Sequence, residues 1–248
     1  MIASIAGGLE AAARTTPPPG MHAPDSYLTP LVSGVLWIVV AVVVAYAVRK
    51  ANRTFDERAV PLMGVMAAFI FAAQMVNFPI AGGTSGHLLG GILAAVMLGP
   101  WAATLVMTAV IVVQALVFQD GGLLVMGANI FNMGIIGTIG GYALYRTIAR
   151  LLGGEARARV PAAAIAAWVS VVAGAIAITF EISMSGKTTL EVALPIMTGF
   201  HVVIGVGEAL ITAAALGFVQ ATRADLFRLR DAATVTERPA PAMKGAKA

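Results

Sequence analysis

The residues best suited to chemistry in this chain are its histidines. The 248 residues contain three of them, His22, His87 and His201, and no cysteine. The lack of cysteine excludes thiolate ligands, disulfides and thiol nucleophiles. A neutral imidazole ring is a common ligand of transition metals, so the histidines first direct attention to metal binding.

The pair Met21-His22 has the right spacing for a chelate. It lies in the segment PPPGMHAPDSYL, which shows no apolar period. If Met21 is the first residue of the working chain, its amine, the His22 main-chain nitrogen and the His22 Nδ1 atom can bind one metal. A nitrogen of His87 would complete a planar set, which suits Ni(II) or Cu(II), with Co(II) as a related case. The main-chain nitrogen must lose its proton, so the affinity is expected to fall at low pH.

His87 ends the irregular segment NFPIAGGTSGH. Thr84 or Ser85 is expected to cap the helix that follows, which would place His87 in its first turn. The positive end of that helix favours neutral imidazole and also mildly repels a cation. A solvated or simply packed side chain is the alternative for each of the three histidines.

Other polar residues fall near the outer ends of the apolar stretches. His201 and Glu208 share one helix face and are expected to form a polar cluster beneath the site, with direct ligation as the less favoured role. Residues expected to support the loops or to line a path for the metal are Asn77, Thr84, Ser85, Asn129, His201 and Glu208. Further candidates for hydrogen bonds between loops or helices are Gln74, Gln114, Asp120 and Asn132.

The elements that must position these residues are apolar helices. The chain is 59% hydrophobic and 11% charged, with a mean hydropathy of +0.88, whereas about a quarter of the residues of a soluble domain are charged. Apolar stretches follow at roughly residues 31–49, 60–77, 87–99, 101–118, 129–151, 160–181 and 193–220. They predict an all-α membrane protein with about seven transmembrane helices, of which the third is short.

The basic residues predict the orientation in the membrane. Of the 16 lysines and arginines, all but Arg14 and Lys187 lie at the C-terminal ends of the first, fifth and seventh stretches or in the segments that follow them. Because basic residues favour the cytoplasmic side, the N-terminus is expected outside and the C-terminus in the cytoplasm. The net charge of +4 is then a topology signal, and nucleic acid is not an expected partner.

The two ends of the chain differ from its apolar part. Residues 1–20 have no basic residue before Arg14 and include Glu10, which makes them a poor signal peptide. They are interpreted as a leader or a mis-assigned start, and the working protein is expected to begin at Met21. Residues 21–220 form the transmembrane domain, and residues 221–248 are expected to be a mobile cytoplasmic tail.

A row of small residues, Gly64, Ala68 and Ala72, lies on the second apolar stretch. This small-residue row would let another helix approach closely. The sequence contains no phosphate-binding GxxxxGKS/T motif. If transport is driven by ATP, hydrolysis therefore belongs to a separate protein, and the chain itself is not expected to be an enzyme.

Several segments together resemble the CbiM/NikM family, the substrate-specific membrane components of energy-coupling factor transporters for cobalt and nickel. They are MHAPDSYLTP, VPLMGVMAAFIFAAQMVNFPIAGGTSGHLLGG, LGPWAA, FQDGGLLVMGANIFNMG and HVVIGVGEALIT. The resemblance extends from Met21 to about Gln220, and the segment ending in GTSGHLLGG is its most specific part.

The resemblance implies a substrate-binding component, in the cell (inner) membrane, that imports Co(II) or Ni(II). Cobalt for cobalamin biosynthesis is the first expectation, and nickel uptake is the alternative. Met21, His22 and His87 would hold the ion as substrate, and no cofactor is implied. The implied partners are a transmembrane coupling protein, a pair of ABC-type ATPases and a small accessory membrane protein, with the small-residue row docking on the coupling protein.

The chain departs from the family pattern around the Met-His pair. Family members usually begin at that pair, a family glycine is Ser26 here, and Ala23 replaces a larger apolar residue.

Two other classes of function stay open. An intramembrane hydrolase built on His87 or His201 would lack any HExxH or GxSxG motif, and a membrane module for an organic vitamin would bind its ligand without metal.

Overall fold

A computed structural model describes residues 22–54, 59–75, 77–80 and 84–227. Nearly all of these residues are helical, as predicted. In chain order the elements are α1 (Pro30–Thr54), α2 (Ala59–Gln74), β1 (Asn77–Ile80), β2 (Thr84–His87), α3 (Gly91–Leu98), α4 (Pro100–Val117), α5 (Met126–Asn129), a π-helix (Ile130–Gly140), α6 (Gly141–Leu151), α7 (Glu155–Met184) and α8 (Leu190–Thr222).

Helices long and apolar enough to cross a membrane account for much of the described chain. By length and composition they are Pro30–Arg53, Pro100–Val117, Glu155–Met184 and Leu190–Thr222. α1 and α8 leave large apolar side chains uncovered, and Leu31 and Val203 are 77% and 70% exposed. Such surfaces fit lipid or a partner helix better than water. The seven-span topology and the orientation of the two ends stay predictions.

A short antiparallel hairpin takes the place of the predicted start of the third helix. β2 pairs with β1 so that His87 lies opposite Asn77, and α3 begins only after Gly90. The expectation that Thr84 or Ser85 caps a helix with His87 in its first turn is therefore wrong. The hairpin gives the main-chain groups of β2 hydrogen-bond partners and so keeps the backbone extended as far as His87.

Gly90 turns the chain from the hairpin into α3. Its φ is +76°, in the left-handed region, and a Cβ atom at this position would lie 2.8 Å from Cγ1 of Ile70. Only glycine meets both conditions without strain. All the residues of α3 are buried, so this helix lies inside the protein, and Gly99-Pro100 links it tightly to α4, as expected.

The fifth apolar stretch lies in an unbroken helical run from α5 to α6 with a π-helix at its centre. A Cβ atom at Gly91 of α3 would lie 3.1 Å from the carbonyl oxygen of Gly137 in the π-helix. The two backbones therefore cross in close contact. Long π-helices are rare, and those that occur are often found at functional sites.

The long helices α7 and α8 pack against each other through a glycine. The indole N–H of Trp168 donates to the carbonyl oxygen of Val202 at 3.0 Å, and a Cβ atom at Gly205 would lie 2.9 Å from Cδ1 of Trp168. Beyond α8, Phe227 is 2% exposed and lies 4.0 Å beneath the Arg159 guanidinium. The first part of the segment predicted as a tail is thus packed on the protein.

Candidate metal centre

His22 and His87 meet in the folded chain. Their ring centroids are 5.0 Å apart with an angle of 60° between the ring planes. Both residues are nearly buried, with 4% and 6% of their surface exposed. One lies in the segment before α1 and the other at the end of β2, so the fold brings two separate parts of the chain together here.

The Asp120 carboxylate, in the loop between α4 and α5, binds His22 at two atoms. The main-chain N–H of His22 donates to Oδ1 at 3.1 Å, and Nδ1 lies 3.1 Å from Oδ2. A carboxylate can only accept, so Nδ1 carries the proton in this contact. The two His22 atoms expected to chelate a metal are therefore the two that face Asp120.

The other ring nitrogen of His22 has a different environment. Nε2 is buried and has no hydrogen-bond partner within the part of the chain that the structure describes. A buried polar atom without a partner is costly in a folded protein.

The segment that carries His22 is fixed on the loop before α5. The Asn129 side chain accepts from the N–H of Ala23 at 3.2 Å and donates to its carbonyl oxygen at 3.3 Å. The N–H of Gly122 donates to the same carbonyl at 3.0 Å. The segment that carries His22 thus rests on the loop between α4 and α5 and on the last residue of α5.

Asp25, three residues after His22, holds the same segment at a second point. Oδ1 of Asp25 accepts from the N–H groups of Leu124 and Val125 at 2.7 and 3.2 Å. The N–H of Thr29 donates to the Ser185 hydroxyl at 3.0 Å, at the end of α7. These bonds fix the path of residues 22–29 from the site to the start of α1.

The loop that presents Asp120 has an unusual backbone. Gln119 has a φ of +56° and Gly121 a φ of +93°, both in the left-handed region, which is strained for residues with a side chain. A Cβ atom at Gly121 would lie 2.8 Å from Cβ of His22 and 3.1 Å from Nδ2 of Asn129. The turn is therefore shaped around His22.

On the other side of the site, His87 is positioned by the chain that follows it. Its Nδ1 atom lies 2.8 Å from the carbonyl oxygen of Leu88, a contact in which the ring N–H is the donor. The N–H groups of Leu89 and Gly90 donate to the two carboxylate oxygens of Glu208 on α8, at 2.8 and 2.7 Å. The segment after His87 is thus anchored to the last helix.

A pair of glutamines completes this anchor. Nε2 of Gln74 donates to the carbonyl oxygen of Leu89 at 2.8 Å, and Nε2 of Gln114 donates to Oε1 of Gln74 at 2.9 Å. Gln114 also accepts, through its main-chain oxygen, from the N–H of Asp120 at 3.0 Å. A continuous set of hydrogen bonds therefore links the segment after His87 to the residue that holds His22.

The remaining predicted site residues fall in different places. Met21 lies outside the described residues, and for Asn77, Thr84 and Ser85 the structure describes only their places in the hairpin. His201 binds the Met197 carbonyl oxygen on its own helix at 2.7 Å. No hydrogen bond joins His201 to Glu208 among the described residues.

Two carboxylates outside the predicted set also accept hydrogen bonds. Asp25 clamps the first segment, and Glu181 of α7 accepts from Nδ2 of Asn132 in the π-helix at 2.9 Å. Sequence reasoning did not single out either one. The described residues contain no group of three or more His, Cys, Asp and Glu side chains arranged to hold a metal, so side chains of these types alone do not complete a site here.

The small-residue row points away from the rest of this chain. Gly64, Ala68 and Ala72 are all exposed on α2, and a Cβ atom at Gly64 would have no neighbour among the described atoms within 4 Å. Within the described residues, all three positions of the row are thus open to a neighbour from outside this part of the chain.

The fold and the site define a helical, multi-pass membrane protein with two buried histidines where its N-terminal segment meets two loops. The family CbiM, described as "Cobalt uptake substrate-specific transmembrane region", matches residues 22–226. The chain belongs to this family, and the resemblance seen in its sequence is confirmed.

Individual relatives agree with the family match. A protein of Haloquadratum walsbyi whose name refers to metal transport is 41% identical over 83% of this chain and 93% of its own length. The fused nickel transport protein NikMN of Rhodobacter capsulatus is 32% identical over 88% of this chain and 67% of its own length. The crystal structure of a truncated transition metal transporter is 35% identical, with a TM-score of 0.76 over 81% of this chain and 99% of that one.

Proposed function

We propose that this chain is the substrate-binding membrane component of an ATP-driven energy-coupling factor transporter that imports Co(II) or Ni(II). The observation that carries the proposal is the contact between His22 and His87, whose rings lie 5.0 Å apart in a buried site. Imidazole nitrogens are good ligands for both ions. Relatives named for nickel transport and for cobalt transport both support the proposal.

The proposed ligands are Met21, His22 and His87. The Met21 amine can take part only if Met21 is the first residue of the working protein, and we propose that it is. Its amine, the main-chain nitrogen and Nδ1 of His22, and a nitrogen of His87 would then supply four nitrogen donors around one ion. The two His22 atoms would exchange their contacts with Asp120 for the metal. N-terminal sequencing of protein purified from membranes establishes whether this amine is free.

The positions of the charges support the predicted orientation. His22 precedes α1, His87 follows α2, and Asp120 follows α4, so the site gathers chain from one end of these helices. Basic residues lie at other helix ends: Arg49, Lys50 and Arg53 in α1, Arg146 and Arg150 in α6, and Arg157 and Arg159 in α7. If these basic residues lie in the cytoplasm, a chain with seven spans would have its site and its N-terminus on the outer side of the cell membrane.

Energy for uptake is assigned to partner proteins. The sequence has no phosphate-binding GxxxxGKS/T motif, so we propose that a pair of ABC-type ATPases hydrolyses ATP. A transmembrane coupling protein would transmit the change, with the small-residue row as its docking face, and a small accessory membrane protein would complete the assembly. The ion would bind from outside and leave toward the cytoplasm when the partners move this component.

Metal binding by the purified protein is the direct test. We expect Ni(II) and Co(II) to give a saturable spectral change in the wild type, and His22→Ala or His87→Ala to abolish it because each removes a ligand. His201→Ala is the matched control, since its ring binds its own helix and its loss should leave metal binding unchanged. Cells carrying either ligand variant should insert the protein but accumulate no metal.

The outcomes separate the candidate functions. Wild-type accumulation in both ligand variants would refute the site. Tight binding of an organic vitamin without any metal dependence would favour the vitamin module instead.

Cobalt for cobalamin biosynthesis is the first candidate substrate, and competition between Co(II) and Ni(II) at equal concentrations decides the preference. Cu(II) should bind nitrogen donors more tightly than either ion.

A further inference from the structure

The contacts that hold residues 22–29 fall into two groups. In the first, the main-chain N–H and Nδ1 of His22 face Asp120, and these are the contacts that would be exchanged for the metal. The second group involves no atom of the proposed ligand set. It can therefore hold the segment in place both before and after a metal binds.

Asp25 provides the carboxylate of the second group. Its Oδ1 atom accepts from the N–H groups of Leu124 at 2.7 Å and Val125 at 3.2 Å. Hydrogen bonds to an ionised acceptor are stronger than those between neutral groups. One oxygen atom thus fastens the segment of His22 to the chain that enters α5.

The main chain fits closely around this carboxylate. The N–H of Tyr27 donates to the Pro24 carbonyl oxygen at 3.0 Å, and the N–H of Gly122 donates to that of Ala23 at 3.0 Å. A Cβ atom at Gly122 would overlap Oδ1 and the main-chain nitrogen of Asp25. The loop before α5 therefore has room for Asp25 because residue 122 is glycine.

Asp25 lies at the surface, whereas the ligand that it would position is buried. Asp25 is exposed, and His22, three residues earlier, is 4% exposed. The two bonds of Asp25 are therefore not needed to fill the core, and their loss should act mainly on where the segment lies. Donors that are already in place bind more tightly, since ordering a mobile segment costs free energy on binding.

We infer that Asp25 is a positioning residue of the metal site, which holds the segment of Met21 and His22 beside His87. This inference rests on the proposed function. It assigns to a residue outside the predicted set the role of holding the segment after His22 has exchanged Asp120 for the metal.

Asp25→Ala tests the inference because it removes both bonds. We expect the dissociation constant for Ni(II), supplied as the chloride, to rise at least about ten-fold, as for other outer contacts of metal ligands. The Tm of the metal-free protein should change little, because the side chain is exposed. Isothermal titration and thermal unfolding of the full chain in detergent measure the two effects.

Asp25→Asn and Ser26→Ala are the matched controls. Both bonds go to Oδ1, and asparagine keeps an oxygen there without the charge, so its Ni(II) affinity should stay close to that of the wild type. Ser26 is the next residue and is exposed, and its replacement should leave binding unchanged. Equal losses in Asp25→Asn and Asp25→Ala would mean that the charge alone matters, and this would overturn the positioning role.

The mobility of the segment provides a readout that needs no metal. Because the chain has no cysteine, Ser26→Cys gives a single thiol for a nitroxide spin label. In metal-free protein we expect the broad spectrum of an immobilised label, which sharpens when Asp25→Ala is added and stays broad with Asp25→Asn. An unchanged spectrum with Asp25→Ala, or an unchanged Ni(II) affinity, overturns the inference. A wild-type protein that binds neither Ni(II) nor Co(II) overturns the proposed function instead.

Discussion

At the scale of single residues, the surroundings of His22 are specific in shape as well as in charge. The Asp120 carboxylate accepts hydrogen bonds from the main-chain N–H and from Nδ1 of His22. The His87 ring lies against the His22 ring, and a Cβ atom at Gly121 would collide with Cβ of His22. Asn129 holds the next residue by both main-chain groups. The position of the ring is therefore determined by several contacts that do not involve a metal.

Gly121→Ala should weaken Ni(II) binding by more than the backbone strain of an alanine at this φ would cause. Its φ of +93° is strained for alanine, and the new Cβ would lie 2.8 Å from Cβ of His22, so the ring or the turn must move. We expect the Ni(II) dissociation constant to rise at least about ten-fold, since outer contacts of metal ligands have effects of this size. Isothermal titration of the purified variant measures it.

Gly153→Ala is the control for strain. Gly153 has nearly the same φ, +92°, and a Cβ atom there would have no described neighbour within 4 Å. Alanine at this position should lower the stability slightly and leave the Ni(II) affinity unchanged. If the two alanine variants bind Ni(II) equally well, the close contact between Gly121 and His22 has no role in binding.

At the scale of elements, the last helix holds the segment that follows His87. Glu208 of α8 is 3% exposed, and its carboxylate accepts from two successive main-chain N–H groups before α3. A charged group buried in this way is stabilised only while both partners are present. α8 therefore contributes to the site without providing a ligand.

Glu208→Gln should weaken both the fold and the site. The amide NH2 would face one of the two N–H groups and leave it unpaired, which costs about 1–3 kcal/mol. For a chain of this size each kcal/mol lowers Tm by about 2–4 °C. We expect a lower Tm in detergent together with weaker Ni(II) binding, because the freed segment directly follows His87.

The matched variant for this experiment is Glu191→Gln. Glu191 lies exposed in the first turn of the same helix, so its replacement should change neither Tm nor Ni(II) affinity. A Glu208→Gln protein with wild-type stability would show that α8 does not anchor the segment after His87.

The sequence predicted the helices well because their signal is local. Apolar stretches such as 160–181 fall inside observed helices such as Glu155–Met184. It also placed His22 and His87 in one site, and the structure brings their rings together, while their role as ligands stays a prediction. The hairpin was missed because each strand has only four residues, too few to show a period of two.

Other features depend on contacts that no local pattern records. The π-helix lies where Gly137 meets Gly91, and nothing in its own sequence distinguishes it from an α-helix. The bond between His22 and Asp120 joins residues 98 positions apart. Hydrophobic period and motif spacing therefore identified Asp120 as polar but could not identify its partner.

At the scale of the whole molecule, the apolar surface is unevenly used. α3 is fully buried, whereas α1 and α8 expose many large side chains. The small-residue row of α2 is exposed in the described structure. Surfaces of small residues suit close approach by another helix, while large apolar side chains suit lipid. This difference supports α2 as the docking face.

Ala68→Leu should separate binding from transport. Ala68 is exposed, so a larger side chain fits within this chain, and we expect wild-type Ni(II) affinity and Tm. Docking of the coupling protein should be reduced because the helices can no longer approach closely. Co-purification with the coupling protein and metal accumulation in cells measure the loss.

Ala214→Leu is the control for Ala68→Leu, because it places the same larger side chain on an exposed face of a different helix. Ala214 is exposed on α8, and its variant should co-purify with the coupling protein as the wild type does. If Ala68→Leu also assembles and transports normally, the small-residue row is not the docking face.

The hydrogen bonds that Glu208 accepts from the N–H groups of Leu89 and Gly90 set an order of events during synthesis. His22 and His87 leave the ribosome early. Glu208, which holds the segment between His87 and α3, lies near the end of the chain. At about 5–20 residues per second, the delay between His87 and Glu208 is on the order of ten seconds. The candidate metal site is then among the last parts of the protein to be completed. A chain interrupted before α8 would contain both histidines without the residue that anchors the segment after His87.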